Sequence, residues 1–329
     1  MGFKRFAERR KPPYPFSVNK VKGIVFLLLL SSLIWAQNEY VPLSYNIISS
    51  INSSYEWKKA LEGEQKARDA MKYGRIQTIE KDGSIVFVGP GAEEFSKLSP
   101  QEREEAIKQD RKIYQDTLKR ESFPHREKIT LALQEYASYF LLWSAYACST
   151  YDPEKSKLLL EETAKRYPDS SNGKIAKSIL EKSKDQATLI ASLKKEFSKL
   201  QNPVENYKPQ ANEPSNSIMN SLKSAISSSY EYGRWKQISP LAVKDISDIP
   251  GVDLETILSP ATDLAERIAF ILDERSAAYY LDMAYDCYED TQTFNYYCDL
   301  IQSRYPHTNT GKFVETAKKY RMRKEMEGR

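Results

Sequence analysis

Two histidines, His125 and His307, and three cysteines, Cys148, Cys287 and Cys298, have the widest chemical reach in this 329-residue chain. An imidazole can act as a general base or bind a metal, and a thiolate can act as nucleophile or ligand. Neither histidine has a Cys or a second His at metal-ligand spacing, so no zinc site is expected. G-x-S-x-G, the P-loop and G-x-G-x-x-G are all missing, and Gly89-Pro90-Gly91 lacks the continuation that a phosphate loop requires. Glu102, Glu104 and Glu105, or Glu161 and Glu162, could in principle supply paired carboxylates for glycoside cleavage. They sit among Lys and Arg in helical stretches, the pattern of a solvated face. Nothing in the sequence selects a catalytic set, a metal or a cofactor, and the chain reads as a binding protein.

Cys148 and Cys287 occupy corresponding places in two similar segments, which favours buried packing. A Cys287–Cys298 bridge across a helical hairpin is the alternative in an oxidising compartment. Only 12 Gly, with 29% charged and 40% hydrophobic residues, suits a globular helical chain. Tyrosine is abundant, 22 residues against 12 Phe. Seven of the 49 Lys and Arg, but one of the 45 Asp and Glu, lie in residues 1–36, so the remainder is slightly acidic, 42 against 44. That balance leaves no basic footprint for nucleic acid. The tail Lys318-Lys319-Tyr320-Arg321-Met322-Arg323-Lys324 reads as the end of a helix, its cations set against the dipole. Anionic lipid headgroups are the other surface it would suit, which keeps membrane proximity open.

The excess charge at the N-terminus has its own meaning. Residues 24–36 form an apolar run of about 13 positions, preceded by Lys20 and Lys22 and ending at the small residue Ala36. A comfortable membrane span needs roughly 20. Residues 1–36 are therefore expected to be a signal peptide, cut after Ala36 or Gln37, with an uncleaved anchor as the alternative. The remainder is expected to be exported to a periplasm or cell envelope and soluble after cleavage.

The elements that carry these residues repeat. Ala145-Tyr146-Ala147-Cys148 is echoed by Ala284-Tyr285-Asp286-Cys287, Arg166-Tyr167-Pro168 by Arg304-Tyr305-Pro306, and Gly173-Lys174 by Gly311-Lys312. The offset is 139 at the first landmark and 138 at the others. Weaker echoes lie upstream: Tyr73-Gly74-Arg75 with Tyr232-Gly233-Arg234, and Leu98-Ser99-Pro100 with Leu258-Ser259-Pro260. Ser99-Pro100-Gln101-Glu102 predicts a capping box that opens a helix ending before Pro124. Further helices are expected from Pro124 to about Thr150, from Asp152-Pro153 to Arg166, and from Ser171 to Leu200. Ile218, Met219, Leu222, Ala225 and Ile226 make another apolar stripe. Gly74 and Gly233 are expected as C-terminal helix caps. Between Arg75 and Val88, Asp82-Gly83 predicts a small β-hairpin. The three prolines and many Asn of residues 201–217 read as a linker.

The two hairpins resemble degenerate tetratricopeptide repeats, in which a small residue on the first helix packs against the second and a proline follows. Ala145 and Pro168 fit that pattern in one copy, and Ala284 and Pro306 in the other. Tyr-Pro followed by Ser170 or Thr308 is similar to repeats of bacterial envelope proteins. The small-to-proline distances, 23 and 22 residues, are shorter than the family's usual spacing and imply a tighter turn. The family's small residue early in the second helix is Ser156 in one copy, but Phe294 stands at that place in the other. The resemblance covers residues 137–185 and 276–322. It implies a concave face lined by Tyr139, Leu142, Tyr146 and Ser149, and by Ala278, Leu281, Tyr285 and Tyr288. Packing of Tyr146 and Tyr285 within the core is the competing reading.

The expected organisation is thus mainly α: two related TPR-like helical halves, 37–200 and 218–329, joined by the 201–217 linker, with a β-hairpin in the first half. The expected function is an exported adaptor or scaffold that binds a protein or peptide. The alternatives are an envelope enzyme or polymer-binding factor using surface carboxylates, and a purely structural envelope protein.

Overall fold

Helices dominate because the chain supplies long apolar faces with a polar cap at nearly every start. A computed structural model describes residues 41–329, except 75, 82–83, 150, 199, 201, 244–252 and 328–329. The expected signal segment, 1–36, lies outside the described residues.

The described elements run α1 (Leu43–Ser53), α2 (Tyr55–Ala70), β1 (Gln77–Lys81), β2 (Ser84–Val88), α3 (Ala92–Lys97), α4 (Pro100–Glu121) and α5 (Phe123–Cys148). They continue through α6 (Pro153–Arg166), α7 (Ser171–Lys182), α8 (Gln186–Phe197), α9 (Pro203–Asn206), α10 (Ile218–Ser227) and α11 (Tyr230–Val243). The chain then closes with α12 (Leu254–Asp286), α13 (Thr291–Arg304) and α14 (Asn309–Glu327). Among the described residues no helix is long and apolar enough to cross a membrane.

The starts follow sequence chemistry. Ser99 and Glu102 form the expected capping box on α4, with Ser99 N–H donating to Glu102 at 2.7 Å. Asp152 and Asp290 accept first-turn amides of α6 and α13. The β-hairpin is present, with β1 and β2 antiparallel and paired from Gln77–Val88 to Lys81–Ser84.

The core forms around α5, which is apolar on nearly every side and therefore buried all round. Trp143, Tyr136, Phe140, Ile129 and Leu133 are all fully buried there. Each such side chain removes enough apolar surface from water to favour folding by about 1.5–3 kcal/mol. Its main neighbour is α12, and the two run antiparallel. Arg126 donates to Asp286 at 2.7 Å, Thr130 to Tyr280 Oη at 3.0 Å, and Ser144 to the Thr262 carbonyl at 3.5 Å. Arg126, 7% exposed, also donates to Glu64, so one buried guanidinium ties α2, α5 and α12. Residues 41–329 form one compact unit.

One local arrangement occurs twice. Tyr167 and Tyr305 are buried after α6 and α13. Ser170 Oγ accepts the Gly173 amide at 2.9 Å, and Thr308 Oγ1 accepts the Gly311 amide at 2.9 Å. Glu135 accepts from the Ser171 amide at the start of α7, and Glu274 from the Asn309 amide at the start of α14. A carboxylate on the long helix thus complements the N-terminal dipole of the third helix in both places.

Three expectations are corrected. The single helix from Ser171 to Leu200 is two, because Asp185 and Thr188 form a capping box that starts α8 afresh after Lys182. Gly74 is not a helix cap: α2 ends at Ala70, and Met71 occupies the capping position in extended backbone. Gly233 lies inside α11, and Pro260 lies inside α12 rather than opening a helix, so the upstream echoes do not share a structure. Residues 202–217 are mostly non-helical yet pinned: Val204 is buried, and Asn216 carbonyl accepts the Tyr55 amide at 2.9 Å.

Candidate ligand groove

Tyr139, Trp143 and Tyr146 recur on α5 at spacings of four and three, which places them along one face. Three later segments close around that face. Phe197 ends α8, Asn202 and Glu205 come with α9, and Trp235 comes from α11. Together they border a cavity of about 700 Å³ that also touches Lys194, Ser198, Leu200, Asn206, Lys236 and Ser239. An apolar recess of this size with a few polar groups at its mouth is the usual form of a ligand site.

Its floor is a locked aromatic cluster. Trp235 meets Tyr139, Phe140 and Trp143 edge-on at centroid distances of 6.4, 5.3 and 5.1 Å, and lies tilted on Tyr232 at 5.4 Å. Trp143, Trp235 and Tyr139 are 1%, 3% and 5% exposed, so they set the shape more than they offer surface. Burial pushes the Tyr139 phenol well above its usual range. The reachable wall is the half-buried pair Tyr146 and Phe197, stacked parallel at 3.9 Å. At the rim, Asn202 donates to Tyr232 Oη at 3.1 Å, and Lys236 pairs with Glu205 at 2.8 Å.

The residues expected to line one concave face are divided. Tyr139 and Tyr146 border the groove. Leu142 and Ser149 are enclosed, with Ser149 Oγ donating to the Tyr146 carbonyl at 2.7 Å, so they present no surface. Leu281 packs half-buried against the core and Ala278 is half-buried. Tyr285, 45% exposed, lies parallel to the half-buried Tyr288 at 6.4 Å, and both meet the edge of Phe294. None of these second-hairpin residues borders the groove.

Trp143, Phe197 and Trp235 were missed. Trp143 was readable, since it falls between Tyr139 and Tyr146 on the same face. Phe197 ends a helix whose start at Gln186 the Ser171–Leu200 pattern does not mark, and Trp235 arrives from 92 residues beyond Trp143 with no local signal.

The residues with chemical reach are spent elsewhere. His307 Nε2 lies 2.9 Å from Asp273, which is fully buried and accepts the Tyr167 hydroxyl at 2.8 Å, with Arg166 at 3.7 Å. A histidine on a buried carboxylate is half of a catalytic triad. Here the other nitrogen, Nδ1, is buried with no hydrogen-bond partner, so no nucleophile stands on it. The cluster instead joins the two Arg-Tyr-Pro motifs, which also meet through Arg304 and Asp169 at 3.0 Å.

None of the three cysteines is in a disulfide, and all are buried, so the Cys287–Cys298 bridge does not form. Burial raises the Cys148 thiol and pushes that of Cys287 up to about 12, far from a nucleophile's range. Glu102 is held below the usual carboxylate range by the Ser99 amide, while Glu104 and Glu162 pair with Lys108 and Arg166 one turn on. Among the described residues no group of three or more His, Cys, Asp and Glu is placed to hold a metal.

Compared with known proteins, the chain matches no family model, no curated protein and no solved structure.

Proposed function

We propose that this protein is an exported adaptor of the cell envelope that captures an apolar segment of a protein or peptide partner, and that it acts by binding rather than by catalysis. The observation that carries the reading is the aromatic groove, whose cavity of about 700 Å³ has an apolar wall and a polar mouth. Aromatic side chains give large contact area for few rotors, which suits a recognition surface. The twofold recurrence of the Tyr-Pro turn, its Ser or Thr cap and its buried Gly supports two related, TPR-like three-helix units, α5–α7 and α12–α14. The groove belongs to the first unit and is completed by α8, α9 and α11.

Peptides selected from a random library on the immobilised protein provide the test. Tyr146→Ala and Phe197→Ala are expected to weaken the selected peptides at least tenfold, a loss of about 1.4 kcal/mol. Tyr285→Ala, on the separate second-hairpin stack, is expected to leave them unchanged. Peptides that bind equally to all three variants would remove the groove from the function. Tyr139 is a poor probe, because its burial couples binding to stability.

A further inference from the structure

One surface departs from the charged exterior of the rest. Among the described helices α1 alone contains no charged residue. Leu43, Ile47 and Ile51 turn its inner side into the core. Asn46 is drawn sideways, donating to the Ala225 carbonyl at 3.3 Å and Ser228 Oγ at 3.2 Å. Tyr45, Ile48, Ser49 and Asn52 are left exposed, at the three- and four-residue spacing of one helix side. Tyr45 is 74% exposed and Ile48 41%. The patch continues past the helix start, where Val41 and Tyr230 are 44% and 45% exposed. The Tyr230 amide donates to the Val41 carbonyl at 3.3 Å, which sets the two side by side. A contiguous apolar and aromatic surface edged by hydroxyls and amides marks an interaction site.

The sequence identifies what lies next to this surface. Val41 follows Ala36, the last residue of the apolar run 24–36, by five positions. A chain reaches at most about 3.3–3.6 Å per residue, so a bilayer that takes up the run lies within about 20 Å of α1. We propose that the outer side of α1, with Val41 and Tyr230, is a lipid-docking surface that lays the protein against the bilayer holding residues 24–36. Tyrosine rings, apolar in body and polar at the tip, settle at headgroup level. Ile48 reaches the acyl boundary, as the apolar side of an interfacial helix does. So small a patch binds weakly alone, but the tether makes the contact intramolecular and raises its effective concentration. The surface shares no residue with the aromatic groove and does not depend on it.

The test is a spin-label depth measurement on the full chain with phosphatidylcholine vesicles. Ser49→Cys and Asn52→Cys each carry a nitroxide on the outer side of α1, and Leu158→Cys carries one on the exposed side of α6. The native cysteines are buried. On vesicles the two α1 labels are expected to collide several-fold less with a water-soluble nickel chelate. Their collisions with oxygen, which concentrates in lipid, are expected to rise. The Leu158 label is expected to change in neither respect. Adding Ile48→Asp, an exposed change, is expected to restore chelate access at both α1 labels while residues 24–36 keep the chain on the vesicles. Because α1 has no cation, including phosphatidylglycerol is expected to leave the depths unaltered. Full chelate access at α1 on vesicles, or a chain that does not bind them, would overturn the proposal. So would α1 labels that stay submerged with Ile48→Asp, or that submerge only with phosphatidylglycerol present. Labels shielded from both collision partners and broadened by spin–spin coupling would instead place a second copy of the chain on this surface, which also overturns it.

Discussion

Gly173→Ala is expected to destabilise the protein by about 3 kcal/mol or more, and Gly311→Ala to do the same. Two effects oppose each other at these sites. Both glycines lie in the first turn of a helix, where alanine's better propensity would favour the variant by at most about 1 kcal/mol. Sterics overwhelm that gain. A Cβ at Gly173 would stand 1.8 Å from the Tyr167 carbonyl oxygen, and one at Gly311 would stand 2.0 Å from that of Tyr305. Both neighbours are backbone, held in place by buried tyrosine rings, so neither can swing aside. The check is urea unfolding, with the midpoint falling and the slope unchanged. Lys174→Ala, exposed on the same helix, is the control and is expected to move stability by no more than about 0.5 kcal/mol. A stabilised Gly173→Ala would mean that the Tyr-Pro turn is not built as described.

Asp273→Ala is expected to cost about 3–5 kcal/mol, the usual penalty for removing one partner of a buried ionic cluster. It leaves the Tyr167 hydroxyl without its acceptor and His307 and Arg166 without their shared carboxylate. Asp273→Asn separates charge from hydrogen bonding, because it keeps an acceptor for Tyr167. Burial raises the Asp273 pKa, and the opposing pull of His307, Tyr167 and Arg166 does not cancel that rise. A folded pKa above the unfolded one means that the folded state holds the proton more tightly. The associated stability is full below the ordinary value of 3.8 and is lost as pH rises through the raised folded value. The Asn variant has no such loss. Its stability relative to the parent is therefore expected to improve as pH rises above about 4. Urea midpoints across that range check the sign, and a gap that widens in the parent's favour would contradict it.

Legibility tracked the range of the interaction. The α4 start was readable because Ser99 and Glu102 cap it from three residues apart, and the α6 end because Pro168 cannot continue a helix. The Asp185–Thr188 box is equally local, but the apolar spacing on either side of it also fits an unbroken helix to Leu200. Gly233 and Pro260 show the limit of short matches. The same Tyr-Gly-Arg or Leu-Ser-Pro triplet reads as a boundary alone, yet tertiary packing carries a helix through it. Asp273 carried no sequence signal, since its partners come from the ends of α6 and α13. The groove was half legible: Tyr139 and Tyr146 share a face that α5 alone defines, whereas Trp235 joins them only once α11 packs across α5. Leu142 and Ser149 failed as surface residues because α5 is covered on almost every side, unlike the outer helix of a simple repeat stack.

The most direct measurement is a crystal structure of the protein bound to its best selected peptide. The expected result is peptide density in the recess between Tyr146, Phe197 and Trp235, with an apolar side chain over Trp143. A peptide seated on Tyr285 and Tyr288, or anywhere that leaves this recess empty, would contradict the groove as the site of capture.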